Sequence, residues 1–83
     1  MYDYDPTRPK WEQIAEVLRD RISSGGYPPK HKLSEVQLEA EFDVARDTVR
    51  KAVRALRAEG LVVTRIGMGS FVAGRPETDK SPA

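Results

Sequence analysis

The sequence contains no cysteine and only one histidine, His31. Disulfides, thiolate metal sites and cysteine nucleophiles are therefore excluded, and one imidazole is too few for a histidine-based zinc or catalytic site. No apolar run approaches the roughly 18 residues that cross a bilayer, so we expect no membrane span, and the first residues do not resemble a signal peptide. The 83 residues allow one small domain and hardly an enclosed catalytic pocket. We therefore expect no enzyme, no metal and no cofactor.

The charged residues are unevenly distributed, although the net charge is only +1. Residues 12–43 carry seven acidic and four basic side chains, whereas residues 44–65 carry six basic and two acidic ones. Basic charge concentrated on one short segment is typical of a chain that contacts nucleic acid. His31 lies between two lysines in a polar stretch, and we expect it to be solvated.

Apolar periodicity predicts three helices. The first extends from about Pro9 to Ser24, with apolar residues at helical spacing (Trp11, Ile14, Leu18 and Ile22). The second begins at Ser34, with Gln37 three residues later as in a capping box, and is about nine residues long. The third spans about 46–59, and Gly60 is placed to supply a left-handed residue after it.

After Gly60 the pattern changes to that of strands. Residues 61–66 are mostly β-branched and apolar, 67–69 form a turn, and 70–73 form a second strand. The predicted fold is therefore mainly α with a small β-hairpin: a winged helix-turn-helix of three helices and a two-stranded wing over residues 9–73. Residues 1–8 are predicted to be a flexible arm, and 74–83 a disordered tail or linker.

The link between the second and third helices is only Asp43-Val44-Ala45. So short a turn is typical of a helix-turn-helix, whose second helix enters the major groove with its N-terminal residues leading. The exposed face of that helix carries a row of arginines (Arg46, Arg50, Arg54 and Arg57) that could read guanine or bind phosphate. An ordinary solvated helix can carry such a row, but the tight turn before it and the hairpin after it favour DNA binding.

Two glycines around Met68 allow the hairpin to turn sharply and to approach another backbone closely. Placed after a recognition helix, such a hairpin could reach a phosphate or the minor groove. It could equally be a plain hairpin that closes a small core, and the hairpin alone does not separate the two interpretations.

One set of motifs extends through most of the chain in register. The motifs are Ile22-x-x-Gly25-x-x-Pro28-Pro29-x-x-x-Leu33, Ser34-Glu35-x-x-Leu38, Val44-x-Arg46-x-Thr48-Val49-Arg50-x-Ala52, Leu56, Glu59-Gly60-Leu61 and Gly67-x-Gly69-x-Phe71-Val72. Over about residues 11–72 the chain resembles the winged helix-turn-helix domain at the N-terminus of the GntR family of bacterial transcription regulators.

The resemblance implies a domain that binds an operator in double-stranded DNA, usually as a dimer on an inverted repeat, most often as a repressor in the bacterial cytoplasm at the nucleoid. Arg46 and Arg50 match arginines that read bases, and Thr48 matches a hydroxyl that contacts a phosphate or base. Ser34 matches a cap near the DNA backbone, and Gly67 and its neighbours match a wing tip in the minor groove. The expected DNA-binding residues are Ser34, Arg46, Asp47, Thr48, Arg50, Arg54, Arg65, Gly67, Met68 and Gly69.

Several residues depart from the family pattern. Ala45 stands where Ser or Thr usually caps the third helix, and Val36 replaces an arginine that contacts bases in many members. Met68 replaces a common basic residue at the wing tip. Asp43 and Lys30 replace glycines, and Lys30 would be strained in a left-handed turn. Asp47 would repel a phosphate but could accept a hydrogen bond from cytosine N4. We therefore expect fewer contacts to DNA than is usual in the family, and an altered base preference.

The alternative is a winged-helix module that docks on protein and reads no DNA. In that case the exposed apolar residues Val36 and Met68 would matter more than the arginines. Full regulators of the family add a C-terminal domain that binds effectors and dimerises. We expect either a fragment that ends in its linker or a small regulator that is mainly the DNA-binding unit. A small-molecule effector is expected only with such a further domain.

Overall fold

The computed structural model describes residues 3–73. It contains three helices, α1 (Lys10–Ser24), α2 (Glu35–Phe42) and α3 (Arg46–Ala58). It also contains three strands, β1 (Lys32–Leu33), β2 (Val62–Arg65) and β3 (Gly69–Val72), which form one antiparallel sheet in the order β1-β3-β2. The three predicted helices and the predicted hairpin are confirmed.

The third strand of the sheet was not predicted from the sequence. β1 pairs with β3 so that Lys32 lies opposite Phe71 and Leu33 opposite Ser70. Just before β1, the backbone N–H of Lys30 donates to the carbonyl of Val72 over 2.8 Å. The predicted two-stranded wing is thus the larger part of a three-stranded sheet, which ties the wing to the segment before α2.

The helix ends follow local backbone chemistry. α1 begins one residue later than predicted, because Pro9 has an extended backbone (ψ 140°) and occupies the cap position. α3 ends at Ala58, and Gly60 supplies the predicted left-handed residue after it: its φ is 83°, and its N–H donates to the carbonyl of Arg57 over 3.0 Å. The N–H of Leu61 donates to the carbonyl of Leu56, also over 3.0 Å, which completes a Schellman motif.

The core lies between the helices and the inner face of the sheet. Its largest fully buried side chains are Phe42, Ile14, Leu18, Leu56, Val49 and Val62. α3 contributes its predicted apolar side, with Val49, Ala52, Val53 and Leu56 all buried. Because α3 packs against α1, α2 and β2, its remaining side, which carries the arginines, is held rigidly at the surface.

Part of the predicted arm contacts the domain. The Tyr4 hydroxyl donates to the carbonyl of Phe42 at the end of α2 over 2.6 Å, and the Lys10 ammonium lies 5.1 Å from the centre of the Tyr4 ring. Flexibility of residues 1–8 stays a prediction. Residues 1–2 and the predicted tail, 74–83, lie outside the described residues.

His31 is not simply solvated, as the sequence suggested. Its ring stacks on Tyr27 with the ring centres 4.4 Å apart, and the side chain is half-buried. The Tyr27 hydroxyl in turn accepts a hydrogen bond from Arg21 over 2.8 Å. The expectation failed because the polar residues around His31 gave no sign that the Tyr27 ring lies beside it.

Candidate nucleic-acid interface

The turn between α2 and α3 brings the start of α3 to the surface beside α2. Asp43 adopts a left-handed conformation (φ 55°, ψ 53°), which Asp tolerates better than most residues, and Ala45 returns the chain to an extended one (φ −73°, ψ 160°). No side chain caps α3 at Ala45, as expected from the sequence. The turn therefore joins two short helices that contact each other directly. The first N–H groups of α3 receive no side-chain cap from residue 45.

Arg46 and Arg50 are both exposed at the start of α3, with side-chain exposures of 51% and 54%. Each is engaged by a carboxylate of α2 through its Nε. Arg46 Nε donates to Glu39 Oε2 over 2.6 Å, and Arg50 Nε lies 3.4 Å from Glu35 Oε1. The hydrogen bond to Glu39 raises the pKa of Arg46 further, so this guanidinium remains charged. The two arginines thus form a small charge cluster with Glu35 and Glu39.

The acidic half of this cluster was missed by the sequence reasoning. Glu35 and Glu39 are one helical turn apart, a spacing that places them on one side of α2. That spacing indicates that the two carboxylates share a side of the helix. Whether they face Arg46 and Arg50 depends on how the Asp43–Ala45 turn orients α3 relative to α2.

A second group of polar residues lies between α3 and the sheet. Arg50, Arg54 and Arg57 line a shallow cavity of about 200 Å³ together with the hydroxyls of Thr64 and Ser70, and the Glu35 carboxylate and Val53 complete the lining. Arg57 Nη1 donates to Thr64 Oγ1 over 3.1 Å, and the two hydroxyl oxygens are 2.9 Å apart. Three guanidiniums outnumber the one carboxylate around this cavity, so together with the two hydroxyls they suit a phosphate group.

Thr64 and Ser70 were not among the predicted site residues. They are opposite each other in the register of β2 and β3, so the hairpin brings them together. The sequence signal was the hairpin itself, but it did not show which face of the sheet points toward Arg57.

The predicted row of arginines is therefore divided. Arg46 lies against α2, whereas Arg54 and Arg57 lie toward the sheet, and Arg50 contacts both regions. A second shallow cavity, of about 530 Å³, is lined by Arg46, Ser34 and Gly69 among others. The Ser34 hydroxyl oxygen accepts from the backbone N–H of Gln37 over 3.2 Å, so the predicted cap of α2 is present.

The other predicted residues are spread around this surface. Asp47 is exposed in the first turn of α3, and Thr48 is half-buried, with its N–H donating to the Ala45 carbonyl over 3.1 Å. At the hairpin tip Gly67 and Gly69 have positive φ angles of 77° and 110°, and Met68 is 61% exposed. Arg65 is exposed at the end of β2 beside this tip.

A metal cluster and a membrane span are two further features that the part of the chain described by the structure could contain. Within residues 3–73 no group of three or more His, Cys, Asp or Glu residues is arranged to hold a metal ion. A helix both long enough and apolar enough to cross a membrane is also missing from this range.

Three helices, a tight turn before an arginine-bearing helix and a hairpin beside it define a winged helix-turn-helix DNA-binding domain. The sequence model of the family described as "Bacterial regulatory proteins, gntR family" matches residues 10–72. The chain therefore belongs to the GntR family. The predicted family and fold are confirmed, and family membership confirms a regulator and not an enzyme.

Known relatives agree with this assignment. The histidine utilization repressor of Pseudomonas putida is 36% identical over 66 residues, which cover 78% of this chain and 27% of the repressor. The chain thus spans about a quarter of the length of that relative.

Two solved structures are similar to the chain in three dimensions. A putative GntR transcriptional regulator from Rhodococcus sp. RHA1 superposes with a TM-score of 0.80 at 35% identity, covering 87% of this chain and 35% of that one. The DNA-binding domain of AraR in complex with operator ORR3 gives a TM-score of 0.76 at 34% identity, covering 88% of this chain and 89% of that one. These proteins give no support to the alternative of a protein-docking module.

Proposed function

We propose that this chain binds an operator in double-stranded DNA and represses transcription, with the start of α3 in the major groove and the hairpin tip at the minor groove. The observation that carries the proposal is the exposed pair Arg46 and Arg50, which lies immediately after the α2–α3 turn on a helix fixed by the core. The AraR domain, similar over nearly its whole length, was crystallised with an operator. This likeness supports the same kind of partner here.

The residues divide into base-reading and backbone-contacting groups. Arg46 and Arg50 read guanine, and Asp47 accepts from cytosine N4. Arg54 and Arg57, with the hydroxyls of Thr64 and Ser70, hold a backbone phosphate, which fixes the position of α3 but carries no sequence information. The remaining predicted contacts are assigned to the DNA backbone and the minor groove (Ser34, Thr48, Arg65, Gly67, Met68 and Gly69).

Repression and pairing are inferred from relatives and from geometry common to such domains. A relative named as a repressor of histidine utilization supports repression, and helix-turn-helix dimers bind two mirrored half-sites. We therefore propose a dimer on an inverted repeat, acting in the bacterial cytoplasm at the nucleoid. A small-molecule effector enters the proposal only with a further domain.

The test is selection of bound duplexes from a random pool of double-stranded DNA, with the Arg46→Ala/Arg50→Ala double variant carried through in parallel. An enriched motif that the double variant loses is the expected result, and two mirrored half-sites would support pairing on DNA. No enrichment by folded wild-type protein would contradict sequence-specific binding by this chain. That result would favour the alternative, a module that docks on protein through the exposed Val36 and Met68.

A further inference from the structure

Glu39 makes the shortest contact to a predicted base-reading arginine. Its Oε2 accepts from Arg46 Nε over 2.6 Å, whereas the neighbouring carboxylate of Glu35 is 4.0 Å from the same nitrogen. Glu35 instead lies 3.4 Å from the Nε of Arg50. Arg46 and Arg50 are thus each contacted by a different carboxylate from one side of α2.

The contact between Glu39 and Arg46 uses the Nε atom of the guanidinium and not its two Nη atoms, which decides what remains for binding a base. A guanidinium has five N–H groups, and the hydrogen bond to Glu39 uses only the one on Nε. Within residues 3–73, neither Nη of Arg46 donates a hydrogen bond to a protein atom. The two Nη groups form the end of the fork, and two parallel N–H groups are what guanine O6 and N7 accept.

We propose that Glu39 is a positioning residue for base recognition, which holds Arg46 through Nε so that the two Nη groups point at a guanine. The proposal rests on the proposed function above. The alternative is that Glu39 competes with DNA for Arg46 and merely weakens binding.

The two roles predict opposite changes in specificity. An exposed ion pair contributes little to folding stability, so removing Glu39 should act mainly on binding. Removing its negative charge near the DNA phosphates should raise affinity for any duplex. A positioning role adds a loss of discrimination between guanine and other bases, because the freed Arg46 samples many orientations. A competing role predicts that affinity for the operator rises as much as for other DNA, or more.

The experiment compares wild-type protein with the Glu39→Ala and Glu39→Gln variants. The duplex is the one enriched by wild-type protein, and the guanine read by Arg46 is the position whose preference Arg46→Ala removes. Affinity is measured for this duplex and for one with that guanine replaced, after thermal melting has checked each variant's fold. The Glu39→Gln amide oxygen can still accept from Nε, so this variant is the matched control.

We expect Glu39→Ala to lose at least about fivefold in discrimination at that guanine, the lower end of what a bidentate contact supplies. Glu39→Gln should keep most of it, although both variants bind unrelated DNA at least as tightly as wild-type protein. In an Arg46→Ala background, Glu39→Ala should change discrimination no further.

Unchanged or improved discrimination in Glu39→Ala would overturn the positioning role and leave Glu39 as a competitor of DNA. Loss of the motif in Arg46→Ala but not in Glu39→Ala would reject this inference alone. An Arg46→Ala variant with no altered base preference would also overturn it. Failure of wild-type protein to enrich any motif would reject the proposed function, and the positioning role with it.

Discussion

Lys30 adopts a left-handed backbone conformation, with φ 73°, that disfavours every residue with a Cβ atom. Its N–H is committed to the carbonyl of Val72, so the strain is held in place by the pairing around β1. Asp43, the other described residue outside glycine with a positive φ (55°), tolerates this region better. The strain expected for Lys30 is therefore present.

Replacing Lys30 by Gly should stabilise the domain. The left-handed penalty is roughly 1–2 kcal/mol, and glycine's greater loss of chain entropy offsets part of it, so we expect a gain of about 1 kcal/mol. For a domain of this size that raises the melting temperature by roughly 4–8 °C. Asp43→Gly is the matched control and should gain less. If the Lys30→Gly protein is no more stable than the wild type, the left-handed backbone at residue 30 does not destabilise the folded domain.

Ala45 leaves α3 without a side-chain cap, although its extended backbone (φ −73°, ψ 160°) suits a cap residue. Ala45→Ser should therefore raise the free energy of unfolding, measured in urea, by about 1 kcal/mol. The same substitution at the exposed Ala58, in the last turn of α3, cannot cap these N–H groups and should give no gain. If Ala45→Ser also gives none, the N–H groups already have another partner, such as the Asp47 carboxylate.

At the scale of elements, ion pairs link α1 to the other helices. Arg21 of α1 binds Glu41 of α2, and Arg19 of α1 donates to Glu59, just after α3, over 2.7 and 2.5 Å. Hydrogen bonding from Arg21 lowers the pKa of Glu41, and the corresponding bond from Arg19 lowers the pKa of Glu59. The stability that these ion pairs give to the packing of the helices should therefore depend on pH.

The Arg21–Glu41 pair should make stability fall in acid. Because the folded state lowers the pKa of Glu41, the unfolded chain binds more protons in acid. The contribution of the ion pair to the free energy of unfolding is complete above the pKa of Glu41 in the unfolded chain, roughly 4.3. It is lost as the pH falls through the lower pKa of the folded state. Glu41→Gln should be less stable than wild-type protein at pH 7, and thermal melting should show the difference shrinking toward pH 3. A difference that stayed constant with pH would show that the charge of Glu41 is not its cause.

The elements differ in how far the sequence predicts them. α3 and the left-handed Gly60 after it were predictable, since 13 residues of regular apolar spacing and one glycine are local signals. β1 was not, because two residues are too short to show alternation and their partners lie nearly forty positions later. The contact of Glu39 with Arg46 escaped for a similar reason: it depends on the backbone of the turn and not on residue types.

At the scale of the molecule, basic groups are collected where α3 meets the hairpin, although the whole chain carries a net charge of only +1. The segment 44–65 is the basic one in the sequence, and its predicted site residues are exposed except Thr48, which is half-buried. Which of them face a base and which a phosphate could not be predicted, because that depends on the place of the sheet beside α3: Arg57 donates to Thr64 of β2, and Arg54 lines the same cavity.

DNA binding should weaken with salt in proportion to the phosphates neutralised. The slope of log affinity against log salt should be about −0.9 for each one. Arg54→Ala should make this slope shallower by about one contact, equally for the selected duplex and an unrelated one. The measurement is a titration of both duplexes across salt concentrations. A salt-independent affinity would contradict a surface that binds backbone phosphates.

The most direct test of the account is the affinity of Arg50→Ala for the selected duplex and for an unrelated one of the same length. Loss of a bidentate contact should cost about 1–3 kcal/mol on the selected duplex and much less on the unrelated one. Arg54→Ala removes the same charge and should weaken both about equally. If Arg50→Ala binds the selected duplex as tightly as wild-type protein, α3 does not read DNA through this residue and the central claim fails.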